Sequence, residues 1–306
     1  MFFSPTLQSL AHPSLGNHVK ILCLSTGNES GLGETRRKEL EKAALILGVR
    51  KREDVFVMDD PRFQDGMQNQ WKPEEIARVL GQAFAPQLVA APEKDKSKER
   101  EKERDKDTKT TEKPHGKYKS TSGKRPSNSR TSSSTTTSKS KSPPTATTTS
   151  TPPPPPGPRA TIDVLLTFDA AGISSHPNHI ALYHGARLFL SQIMRGHSGY
   201  ACPVSLYTLT STNIARKYSF ILDVIPTFLS GIYGTILGIG KKRGGRDGMK
   251  GPDRLIFVSD MWKYWKAKEA MVSGHKSQMV WFRWGWIGLG RYMVVNDLKR
   301  ERVVAT

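Results

Sequence analysis

Asp169-Ala-Ala-Gly-Ile-Ser-Ser-His176-Pro-Asn-His179 is the stretch whose reading decides the fold. It closes a short apolar run, Val164-Leu-Leu-Thr-Phe168, and opens an apolar-periodic one, Ile180-Ala-Leu-Tyr183. The order is buried strand, small-residue loop, helix. Pro177 suits a first helical turn, where its missing N–H removes no bond. Histidines three apart at a helix start lie on nearly the same face. In α/β folds the loops at strand ends carry the chemistry. One imidazole can hold a metal ion while the other acts on a substrate. The spacing alone equally admits a pair of exposed histidines at the start of a surface helix.

Working outward, the periodicity predicts a strand at Val19–Ser25, a helix at Glu34–Gly48, a strand at Val55–Met58 and a helix at Glu74–Phe84. After the strand at Ile162–Phe168 come a helix at Asn178–Gln192 and strands at Val204–Thr210 and Leu255–Val258. A helix at Met261–Ser273 follows. Alternating strands and helices imply an α/β, Rossmann-like fold with a mostly parallel sheet and helices on both faces. Gly and Pro in Ile221–Ile239 argue against one long helix there, and Gly240–Gly251 reads as a mobile loop without the Gly-Lys-Ser/Thr ending of a P-loop.

The chain has 306 residues and a net charge of +19. Roughly half of that charge falls in one low-complexity stretch. Glu93–Lys119 is nearly all charge, Ser120–Ser150 is Ser, Thr, Lys and Pro, and Pro152–Pro156 is a proline run. Such a segment cannot bury enough apolar surface to offset its ordering entropy, so it is expected to be a disordered insert. The expected organisation is a first part of one domain at 1–92, the insert at 93–159 and the second part at 160–306. The insert has one aromatic, Tyr118, and no stacking platform, so no nucleic-acid partner is expected. Two cysteines, Cys23 and Cys202, exclude a disulfide framework and a cysteine zinc site. No basic signal-peptide segment and no run of about 20 apolar residues is visible. Ile221–Ile239 and the aromatic, arginine-containing Trp281–Tyr292 suit either contact with a membrane interface or packing against the domain.

Four blocks, in order, resemble the eukaryotic N-acetylglucosaminyl-phosphatidylinositol de-N-acetylases of the LmbE-like zinc deacetylase superfamily. They are Ile21–Asn28 with Gly33–Glu39, Leu166–Tyr183, Thr212–Tyr218, and His275–Gln278 with Trp281–Arg283. The resemblance implies zinc-dependent removal of an acetyl group from the glycolipid N-acetylglucosaminyl-phosphatidylinositol in GPI-anchor biosynthesis. It implies work at a membrane surface, on the cytoplasmic face of the endoplasmic reticulum. His179 matches a zinc ligand, and His176 the histidine that stabilises the oxyanion or protonates the leaving amine. Asp169 matches an acidic position, either an orienting partner of an imidazole or a loop cap. Arg36 is the implied contact to the inositol phosphate, with a solvated helix arginine as the alternative, and Asn28 is a polar pocket residue.

The family's His-Pro-Asp-Asp-Glu run, which supplies two further zinc ligands and the general base, is not in the chain. Met1–Thr6 resembles the segment that follows it, so the chain is expected to lack the first, central strand. Ala11-His12-Pro13 is no substitute, because no carboxylate follows it. A catalytic zinc usually takes three protein ligands, so very little activity is expected of the chain as written. The alternative is a non-catalytic relative that binds or scaffolds at the endoplasmic reticulum membrane.

Overall fold

The structure is a computed structural model that describes residues 2–88, 157–238 and 251–303. The expected insert at 93–159, apart from its last three residues, and the expected mobile loop, apart from Gly251, lie outside the described residues. The residues on either side of the insert belong to one compact unit.

Helix α1 (Ser4–Leu10) leads to strand β1 (Ile21–Cys23), helix α2 (Gly33–Ile46), strand β2 (Val55–Val57) and helix α3 (Pro73–Phe84). Strand β3 (Val164–Phe168), helix α4 (Pro177–Met194), strand β4 (Ser205–Leu209) and the short helix α5 (Ile214–Lys217) follow. Helix α6 (Val224–Gly238), strand β5 (Arg254–Val258), helix α7 (Met261–Val272), helix α8 (Trp281–Leu289) and strand β6 (Val295–Glu301) complete the order. Each expected strand and helix is present, with ends shifted by no more than two residues.

The strands form two sheets. β1 pairs with β2 in parallel, Leu22 opposite Phe56. The second sheet has the order β3-β4-β6-β5. β3 and β4 are parallel, while β6 runs antiparallel to both β4 and β5, so three of its four strands share a direction. The fold is therefore mixed α/β with a mostly parallel sheet. Alternation along β4 divides the core between the two faces. Leu206 joins a cluster with Ile76, Leu80, Phe189 and Ile193 of α3 and α4. Tyr207 and Leu209 join one with Ala270, Met271, Ile287 and Leu298.

Local chemistry explains the main helices. α3 carries Pro73 at its start and Glu74 and Glu75 in its first turn, where carboxylates favour the helix dipole. Its buried Ile76, Ala77, Val79 and Leu80 make one apolar face. That face meets α4 at Gly185, where a Cβ would lie 2.5 Å from Ile76, so only glycine permits this approach.

Two elements depart from expectation. Ile221–Ile239 was read as too rich in Gly and Pro for one long helix, yet α6 covers Val224–Gly238. Pro226 lies in its first turn, where a missing N–H breaks no intrahelical bond. Strand β6 escaped the hydrophobic pattern because Asn296 and Asp297 are buried within it. Asn296 Oδ1 accepts from Thr6 Oγ1 (2.7 Å) and its Nδ2 donates to the Phe2 carbonyl (2.8 Å). Arg254 donates to both oxygens of Asp297, Nε to Oδ1 at 2.6 Å and Nη2 to Oδ2 at 2.7 Å.

A buried polar cluster sits where α6 begins. Arg216 donates to Asp223 through Nε (2.6 Å) and Nη2 (3.1 Å), and the Thr227 hydroxyl donates to Asp223 Oδ2 (2.8 Å). Arg291, fully buried, places Nε 2.6 Å from Asp223 Oδ2. That contact is an ion pair without hydrogen-bond alignment, since Nε has no partner in line with it. Removing one member of a buried pair strands the other charge. Asp223→Ala is therefore expected to lower unfolding stability by about 3–5 kcal/mol, measured by urea denaturation; a loss under about 1 kcal/mol would show that Arg291 finds water instead.

Candidate functional site

Four chain segments meet at the carboxyl ends of β1, β3 and β4: Gly27–Asn28, the loop before α3 with Asp65, Asp169–His179, and Ser211. The Asp169–His176 loop is tightly bound. Asp169 Oδ2 accepts from Ser211 N (2.6 Å), and Oδ1 accepts from Ser211 Oγ (2.6 Å), Ala171 N (3.2 Å) and Gly172 N (3.1 Å). Ser211 Oγ in turn accepts from Ile173 N (2.9 Å). These bonds hold Ile173, Ser174 and Ser175 at φ of 42°, 72° and 57°, a left-handed run that non-glycine residues adopt only when surroundings over-determine it.

The loop fixes both histidines. His179 Nδ1 donates to the Gly172 carbonyl at 2.7 Å, so its Nε2 carries the free lone pair. Burial pushes the His179 imidazole down to about 4, opposed by the Gly172 bond and reinforced by the charge of His176. It is neutral at physiological pH, as a metal ligand must be. Phe168 stacks on its ring at 3.8 Å. His176 caps α4, its Nδ1 accepting from Asn178 N at 3.3 Å. In the neutral ring the proton then sits on Nε2, which makes that nitrogen a donor. The two rings lie 4.8 Å apart, inclined by 30°. One thus presents a lone pair and the other an N–H, which is what metal binding and oxyanion stabilisation respectively require.

Gly172 is the pivot. Its φ is +63°, and a Cβ there would meet Ile180 Cγ1 at 2.7 Å and His179 Cβ at 3.2 Å. Asp169, expected as either an imidazole partner or a loop cap, bonds Ser211 and the loop amides and touches no imidazole. Its bond to Gly172 N joins it to the residue whose carbonyl accepts from His179.

Asp65 carried no signal in the sequence: it is a lone acid in a polar loop. It lies against the site, where Oδ1 accepts from Asn178 Nδ2 at 3.2 Å and its charge acts on His179. Gly27 stands between Asp65 and Arg36, for an added Cβ would lie 3.6 Å from Asp65 Oδ2 and 3.0 Å from Arg36 Nη1. Arg36 Nη1 donates to the Gly27 carbonyl, and its buried Nε has no protein partner. Burial lowers the Arg283 pKa and the nearby charge of Arg36 lowers it further, so two guanidinium groups share one region. Asn28 Oδ1 accepts from Gly33 N at 2.9 Å and caps α2, leaving its amide nitrogen for another partner. Lys217 Nζ donates to Ser174 Oγ and lies over the Tyr218 and Trp286 rings. His12 is exposed and caps a short turn through Ser14, away from these groups. Among the described residues no group of three or more His, Cys, Asp or Glu is arranged to hold a metal ion.

The PIG-L family, described as GlcNAc-PI de-N-acetylase, matches residues 1–105. The N-acetylglucosaminyl-phosphatidylinositol de-N-acetylase of Arthroderma benhamiae is 41% identical over 99% of this chain and 84% of its own length. A probable enzyme of the same description from Schizosaccharomyces pombe is 32% identical over 98% of this chain and 81% of its own. The Bos taurus protein is 25% identical over 97% and 77%. No solved structure matches the chain.

Gly172→Ala should cost about 1–2 kcal/mol from the left-handed backbone alone, read by chemical denaturation. It should also break the Nδ1 bond of His179, read by nitrogen NMR of the imidazole. His275 supplies a pH test. Burial pulls its imidazole from 6.5 to about 4, and its Nδ1 has no protein partner. Between those values the unfolded chain takes up a proton that the folded chain refuses. This contribution to stability is complete above 6.5 and shrinks as pH falls toward 4. Thermal melts of His275→Gln should depend less on pH across that window than those of the unaltered chain; parallel curves would remove His275 as the cause.

Proposed function

The chain belongs to the N-acetylglucosaminyl-phosphatidylinositol de-N-acetylase family, and on that premise we propose that its substrate is N-acetylglucosaminyl-phosphatidylinositol. Water adds to the acetyl carbonyl, the carbon–nitrogen bond breaks, acetate leaves and the glucosamine nitrogen takes a proton. The product is glucosaminyl-phosphatidylinositol, a step of GPI-anchor biosynthesis. The observation that carries this reading is the pair of neighbouring imidazoles with opposite hydrogen-bonding roles.

His176 is the catalytic donor in this reading. Its Nε2–H stabilises the developing oxyanion or protonates the departing amine. Asp169 and Gly172 hold the loop that aims both rings. Arg36, with Arg283 beside it, binds the inositol phosphate: two like charges in a half-buried region gain from an intervening anion. Asn28 contributes its amide nitrogen to the sugar or inositol hydroxyls.

His179 would hold a divalent metal, and zinc suits an imidazole nitrogen. When bound, such an ion polarises a carbonyl and acidifies water. The described residues supply one prepared donor and no three-donor cluster, so they do not fit a complete zinc site and no step is assigned through it. Turnover by the chain as written is accordingly expected to be low. The incomplete donor set also favours a second reading, a relative that binds the glycolipid without hydrolysing it. Under either reading the protein works on a lipid-borne substrate at the endoplasmic reticulum membrane, on its cytoplasmic face, and the two sequence flanks of the insert act as one domain.

The test is deacetylation of the glycolipid, with zinc content measured on the same samples. His176→Ala should lower kcat by about 10²–10³-fold, and His179→Ala should lower it too, while zinc stays well below one ion per chain in all three proteins. Stoichiometric zinc in the unaltered chain would overturn the incomplete-site reading, and zinc that also survives His179→Ala would remove that residue as a ligand. Glycolipid binding without acetate release would select the second reading.

A further inference from the structure

Helix α6 is built inside out. Ile225, Phe228, Leu229 and Ile232 follow the spacing of one helical face, Ile221 and Leu222 precede them in the 3-10 turn that leads into the helix, and all six are exposed. Ile225 is 63% exposed, while Asp223 and Thr227, on the opposite side, are 1% and 0% exposed. A surface helix in water does the reverse, hiding its apolar stripe and showing its charges. Here the buried side is committed to Arg216 and Arg291, so the apolar stripe cannot turn inward without breaking those ion pairs.

A second apolar surface lies on α7 and α8. Trp262, Trp265 and Trp284 line an open groove of about 480 Å³ with Lys266, Lys268 and Glu269. Trp281 is 85% exposed, with Phe282 beside it at 5.9 Å. Lys268 Nζ lies 4.5 Å from the Trp265 ring centre. The two surfaces flank one junction. Phe220, just before α6, meets Tyr264 of α7 at 5.4 Å, and Tyr264 Oη donates to the Ile287 carbonyl of α8 at 3.2 Å.

We propose that these two surfaces together dock the protein on the anionic face of a lipid bilayer, with α6 and α8 lying in the interface. Isolated exposed hydrophobics are ordinary, but contiguous stripes of this extent mark an interaction surface. The composition selects lipid as the occupant. Tryptophans mixed with lysines suit the headgroup level, where rings bury their apolar part and cations meet phosphate. A second copy of the chain is the poorer match, because each copy carries +19. No helix among the described residues is long and apolar enough to cross a membrane. A chain of contacts links α8 to the site. Lys217 joins Ser174 of the strained loop to the Tyr218 and Trp286 rings, and Tyr218 meets Trp286 of α8 at 6.3 Å. A substrate headgroup can then enter the site while its acyl chains stay in the bilayer. This last step rests on the proposed function; the docking itself does not.

The experiment is co-sedimentation of the full chain with phosphatidylcholine vesicles, with and without phosphatidylserine. The chain should partition to the serine-containing vesicles, and Ile225→Asp with Leu229→Asp, or Trp281→Ala with Trp284→Ala, should weaken partition by about tenfold or more. These exposed substitutions should leave the melting temperature unchanged. Partition that is absent in the unaltered chain, or equal in all variants, overturns the proposal. So does a concentration-dependent dimer that the same variants abolish in the absence of vesicle binding. Turnover of a soluble, lipid-free N-acetylglucosaminyl-inositol phosphate separates the two ideas: inactivity with vesicle binding intact removes the reaction alone, and unchanged soluble turnover without binding removes the docking alone.

Discussion

Everything at the site depends on one carboxylate. Asp169 sits at the end of β3, and its two oxygens accept from four donors, two of them on Ser211 after β4. Parallel neighbours β3 and β4 bring those strand ends together, which is the reason for the bond's reach across 42 residues. The bond then holds a backbone path that ordinary residues avoid. Three consecutive non-glycine residues in the left-handed region would relax in a free loop. Held as they are, they aim the Gly172 carbonyl at His179 and leave His176 to cap α4. The geometry of two imidazoles is thus set by a group that touches neither.

The sheet order makes the same point on a larger scale. Strand ends are useful because several loops converge there. Gly27 and Asp65 come from beyond β1 and β2, and Asp169 and Ser211 from beyond β3 and β4. Their meeting surrounds His179 with one acid and places arginines nearby. A neutral imidazole is the result: desolvation by Phe168 and the loop outweighs the pull of Asp65.

How much of this was legible in the sequence varied with the kind of signal. The strand–loop–helix around Asp169–His179 was plain, because apolar run, small-residue loop and periodic helix each have their own spacing. Three of the four blocks that carry the family resemblance lie at strand ends, where side chains are constrained by chemistry, and the fourth, His275–Gln278 with Trp281–Arg283, follows helix α7. Strand β6 was not legible, since Asn296 and Asp297 read as solvent-facing until Thr6 and Arg254 are seen to satisfy them. Helix α6 forms despite its Gly and Pro, because Pro226 falls in the first turn, where it interrupts no bond. Asp65 gave no clue at all: Asn178 lies 113 residues away, and nothing local marks the acid that meets it. Contacts made across the fold, between single polar residues, leave no periodic trace.

The seam between α3 and β3 has a further consequence. Thr161 N donates to the Phe84 carbonyl at 2.8 Å, so the chain leaves and re-enters the domain at nearly the same point. The domain supplies the closure itself, through its own backbone. For a flexible loop, doubling the length between two such fixed ends costs only about 0.6 kcal/mol. The stability of the fold is therefore nearly indifferent to the length of chain spliced in at this position, and the chemistry beyond the seam stays in register whatever that length is.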